Sequence, residues 1–96
     1  MLGTDKNTMP EVVRGLLYAA SVNVSQGQID DAILLYDKVI EILPNCGEAY
    51  YERGRAKHLV GNVRGATEDL MRALQLSPEL EKEISGQFHA GTSTCR

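Results

Sequence analysis

The side chains of this chain that could do chemistry are two histidines, two cysteines and a scatter of carboxylates, and their spacing joins none of them into a reactive centre. His58 and His89 have no serine or cysteine at a spacing that pairs with either as nucleophile and base. His58 with Cys46, or His89 with Cys95, brings two ligand types together at irregular separation, well short of a zinc pattern. The acidic sets Asp30, Asp31, Asp37, Glu41 and Glu79, Glu81, Glu83 lack the loop spacing of a calcium site and read as solvated faces and helix-start charges. Gly27 and Gly61 each stand without the glycine-lysine pair of a phosphate loop. No catalytic residue, metal or cofactor is therefore expected, and function has to come from a surface.

Composition narrows the surface. Across 96 residues, hydrophobic content is 43%, enough for a packed core in one small domain near the lower limit of self-sufficiency. A net charge of −3 leaves ten lysines and arginines scattered among acids, without the basic stripe that a phosphate backbone requires, so no nucleic acid partner is expected. No apolar run reaches membrane-spanning length, and Met1 to Pro10 does not read as a secretory signal. The two cysteines form no disulfide framework, which makes a reducing cytoplasm the expected compartment.

Five helices and no strand are expected to position that surface. Thr8-Met9-Pro10-Glu11 combines a capping hydroxyl, a proline suited to a first turn and a glutamate three residues beyond the threonine, which starts a helix running to about Ser25. Gly27 permits a tight turn, and apolar periodicity predicts a second helix from about Ile29 to Leu43, stopped by Pro44. Asn45 to Glu48 offers a capping asparagine for a third helix, ending before Gly61-Asn62, and a fourth runs from about Val63 to Leu76. Ser77-Pro78-Glu79 repeats the start signal for a last helix with Leu80, Ile84 and Phe88 on one stripe.

A repeat underlies this order. Gly27, Ala32 and Pro44 return 34 positions later as Gly61, Ala66 and Pro78, and look-alike pairs such as Leu16 with Tyr50 and Ala20 with Gly54 keep the same offset. The pattern resembles the tetratricopeptide repeat, a pair of antiparallel helices in 34 residues. Tyr50, Gly54, Gly61, Ala66, Ala73 and Pro78 match in the second copy, and Leu16, Ala20, Gly27, Ala32, Tyr36 and Pro44 in the first, where Val39 replaces a small residue. Ala20 and Gly54 let the paired helices approach closely. Arg53 stands where an apolar residue is usual, so its stem is expected to pack while its guanidinium meets an acid such as Glu52, Glu48 or Asp69.

The resemblance implies an all-α, right-handed superhelical stack of antiparallel helix pairs forming one domain over residues 1–96. Repeat 1 would cover 13–46, repeat 2 47–80, a capping helix 79–88 and a tail 89–96. The start signal at Thr8 and the polar tail are those expected of a complete chain. Family members bind peptides in a concave groove, which here implies Arg14, Leu17, Ser21 and Val24 with Glu48, Tyr51, Arg55 and His58. Members that clamp carboxyl-terminal tails of chaperones use a Lys and an Asn, then an Asn, then a Lys and an Arg. Leu17, Ser21, Glu52, Lys82 and Gly86 stand there; only Lys82 agrees, and Glu52 repels a carboxylate. The expected role is a peptide-binding adaptor. The alternative is a self-assembling unit, a homodimer through the first helix at Val12, Val13 and Leu16 or the last at Leu80, Ile84 and Phe88.

Overall fold

The computed structural model describes residues 10–82, and among them every regular element is helical. Helices α1 (Glu11–Ser25), α2 (Ile29–Ile42), α3 (Gly47–Leu59) and α4 (Val63–Leu76) are followed by a single 3-10 turn, Pro78–Leu80. The expected fifth helix, with Ile84 and Phe88, falls largely outside the described residues, as does the Thr8 cap. Helix α1 pairs with α2 and α3 with α4, and α2 packs on α3 to join the pairs.

The turns show why the repeat carries glycine. Gly27 and Gly61 have φ of 82° and 87°, while a Cβ at either would meet no atom within 4 Å, so backbone conformation and not space demands the residue. After Gly61, the Asn62 side chain accepts a hydrogen bond of 2.9 Å from the Gly65 amide and caps α4. Gln28, its counterpart before α2, has a similar backbone but makes no such bond. Gln28→Asn is therefore expected to stabilise the fold by about 0.5–1 kcal/mol, read as a raised urea midpoint with unchanged slope. The expected Asn45 cap is corrected: Cys46 occupies the capping position of α3 without a side-chain hydrogen bond.

Helix α3 lies between α2 and α4 and presents small residues to each. Ala49 packs with Val13 and Val39, and Ala56 with Ala20, Ala32 and Tyr36. On its other side Gly54 sits so close to α4 that a Cβ would lie 3.1 Å from the Ala66 carbonyl oxygen, the Asp69 Cβ and the Leu70 Cγ. Tyr51, Leu70 and Ala73 form a third cluster, with Leu80 against it.

Arg53 crosses from unit to unit. It donates to both carboxylate oxygens of Asp69 on α4, Nε and one terminal nitrogen each at 2.8 Å, and its other terminal nitrogen donates to Asp37 on α2 at 2.7 Å. Lys57 Nζ reaches Asp69 at 3.1 Å, and the Arg53 guanidinium lies 5.5 Å from the Tyr50 ring centre. Of the acids expected to answer Arg53, the structure selects Asp69 for these bonds and adds Asp37.

Candidate functional site

Packing α1 and α3 side by side over α2 leaves a furrow between them. A cleft of about 360 Å3 is lined by Leu17, Tyr18 and Ser21 from α1, Tyr36 from α2, and Glu48, Glu52 and Arg55 from α3. A smaller hollow of about 130 Å3 shares Ser21, Tyr36, Glu52 and Arg55 and adds Val24, Ala56 and Leu59, so the two are ends of one furrow. The Val24 and Leu59 end is apolar, and the middle is polar.

Three polar contacts shape the middle. Ser21 Oγ donates to the Tyr18 carbonyl at 2.8 Å, turning the hydroxyl back on its own helix. Arg55 reaches Glu52 at 3.3 Å and stands over the Tyr51 ring at 5.6 Å. Tyr36 forms the floor and is only 2% exposed. Burial, then Glu52, push its phenol up to about 12, with Arg55 opposing and Glu48 adding.

That shift has a stability consequence. The unfolded chain releases the Tyr36 proton near pH 10 while the folded chain holds it to about 12, so the folded state binds more protons between these values and stability falls as pH rises across them. The loss reaches about 2 kcal/mol at most, because part of the ring environment remains wet. A tyrosinate absorbance titration should show a late phenol that is lost in Tyr36→Phe.

Tetratricopeptide repeat protein 36 of Bos taurus is 37% identical over 67 residues, covering 70% of this chain and 36% of the relative. Its Danio rerio namesake is 31% identical over 80 residues, 80% of this chain and 43% of the relative. The chain belongs to the tetratricopeptide repeat family. Protein CTR9 homolog of Arabidopsis thaliana is 30% identical over 74 residues, 76% of this chain but 7% of that protein. No protein-family model matches the chain. This tetratricopeptide repeat chain spans less than half the length of these relatives. Its kinship is with protein-interaction modules in general. No described helix is long and apolar enough to cross a membrane.

Of the groove residues that the tetratricopeptide repeat pattern implied, Leu17, Ser21, Val24, Glu48 and Arg55 line the furrow. Arg14 and His58 are exposed but do not line it. Tyr51, expected in the groove, does not line the furrow: its ring is buried in the cluster with Leu70 and Ala73 of α4. Tyr18, Tyr36, Ala56 and Leu59 line the furrow although the repeat pattern did not place them there, and Glu52, set by that pattern at the tail-clamp position, lines it too. For Tyr36 a signal existed, since a tyrosine at a core position carries a hydroxyl that needs a polar outlet.

Among the interface candidates, Val13 is corrected. It is 0% exposed, because it faces Val39 and Ala49, and has no surface for a partner. Val12 is 60% exposed, Leu16 half-buried, and Leu80 half-buried against the third cluster, while Ile84 and Phe88 lie outside the described residues.

Proposed function

We propose that this chain is an adaptor that binds an extended segment of a partner protein in the furrow between α1 and α3. The observation that carries this reading is that the first helices of both units line one continuous furrow, with apolar side chains at one end and hydrogen-bonding groups in the middle. Such a furrow suits a peptide, whose side chains alternate with backbone amides, and the reading includes no catalysis and a cytoplasmic setting.

Selection from a display library of short random peptides tests it. Peptides recovered on the parent protein should lose binding to Ser21→Trp, which fills the furrow from an exposed helix position, while helicity by circular dichroism persists. Equal binding to Ser21→Trp would sink the proposal.

One observation favours self-association as a second reading. The 34-residue offset sets Gly15 and Val22 of α1 against Ala49 and Ala56 of α3, which are buried beneath α2 in the middle of the stack. Gly15 is exposed, Val22 half-exposed and Val12 beside them exposed, so α1 keeps a face of the kind that α3 buries. A second copy packed there would give a concentration-dependent mass by light scattering, and a constant monomer would exclude it.

A further inference from the structure

We propose that the occupant of the furrow is a peptide that places a lysine or arginine side chain between Glu48, Glu52 and the hydroxyl of Tyr36. This deepens the peptide-binding reading above and rests on it.

Glu48 and Glu52 are one turn apart on α3, so both carboxylates meet the same cleft. Among the described residues, the charged groups lining the furrow are these two acids and Arg55, and α1 and α2 contribute none. Arg55 is already set against Glu52 and the Tyr51 ring, whereas Glu48 makes no ion pair with a described residue. These described groups therefore carry one negative charge in excess, and a cationic side chain is the complement.

Tyr36 supplies an independent observation. Its side chain is almost wholly buried, yet its hydroxyl makes no hydrogen bond to any described residue. Every described side-chain polar atom that is fully shut off from solvent does have a partner, so this hydroxyl keeps an opening, and both parts of the furrow meet at Tyr36. A buried hydroxyl left to solvent through one narrow opening is ready to accept from a ligand ammonium or guanidinium. With its phenol protonated at neutral pH, Tyr36 can equally donate to a peptide carbonyl. The neighbouring Val24, Ala56 and Leu59 give the aliphatic stem of such a side chain, or the residue beside it, an apolar wall.

Peptides recovered from the random library, remade with blocked termini, are measured by fluorescence anisotropy at low and high salt. They are expected to be enriched in lysine or arginine and to weaken as salt rises. Binding should fall about tenfold in Tyr36→Phe, which keeps the packed ring, and at least as much in Glu48→Gln. Asp30→Asn removes an exposed acid away from the furrow and should leave binding unchanged, which controls for net charge. Peptides that are uncharged or acidic, yet excluded by Ser21→Trp, would overturn the cation proposal and leave the furrow reading standing. Basic peptides that bind Tyr36→Phe and Glu48→Gln as tightly as the parent would also overturn it. If no peptide is recovered, or if Ser21→Trp changes nothing, both readings fall.

Discussion

Asp69→Leu is expected to destabilise the protein by about 3 kcal/mol, a large part of the few kcal/mol that a domain of this size holds. The Asp69 side chain is 7% exposed and accepts one hydrogen bond from Arg53 on each carboxylate oxygen, with Lys57 against the oxygen that Arg53 Nε bonds. Hydrogen bonding to Asp69 raises the already high pKa of Arg53 against the desolvation that opposes it. Without Asp69, a guanidinium whose side chain is 19% exposed keeps only Asp37, at the rim. Asp37 is 44% exposed on its side chain, so Asp37→Asn should cost no more than about 1 kcal/mol. Removing both main partners, in Arg53→Met with Asp69→Leu, should recover much of the loss, since neither charge is then left buried alone. Urea unfolding of the variants measures this, and an Asp69→Leu protein no weaker than Asp37→Asn would contradict it.

Gly54→Val is expected to cost about 3 kcal/mol as well, by a different route. Three atoms of α4 stand 3.1 Å from where the first side-chain carbon would be, and one of them, the Ala66 carbonyl oxygen, belongs to the backbone and cannot rotate away. A branched side chain has to push α3 from α4. Because Asp69 Cβ is another of the three atoms, the same displacement opens the Arg53 bridge, so Gly54→Val in an Asp69→Leu background should cost less than it does alone. Full additivity in the urea midpoints would show that the two sites are independent.

The helices were legible in the sequence because their signals are local. Gly27 and Gly61 need a left-handed backbone, Pro44 and Pro78 cannot extend a helix, and the apolar rows between them repeat at helical spacing. The bounds of α2 and α4 accordingly lie within one residue of those expected. The cap of α3 was not legible, because Asn45 and Cys46 compete for a position that only the turn geometry decides. The rotation of α3 about its axis was hidden too, and it decides that Tyr51 faces α4 while Glu52 and Arg55 face α1. Val13 and Leu17 belong to one apolar row of α1, yet Val13 is wholly buried against Val39 and Ala49 while Leu17, packed on the same cluster, also borders the furrow. Asp37 could not be matched to Arg53 by pattern, since neither has an acidic or basic counterpart at the repeat offset: Met71 and Ala19 stand there.

The Arg53 bridge makes the two helix pairs unequal. Its bidentate bonds tie α3 to α4, whereas the single bond to Asp37 ties α2 to α3, and the Asn62 cap also belongs to the second pair. The furrow has one wall in each pair, so its α3 wall is anchored while its α1 wall belongs to the pair with fewer polar ties. A bound segment that grips both walls therefore acts as a missing brace on the first pair, and its occupancy would be written chiefly in slowed amide exchange along α1.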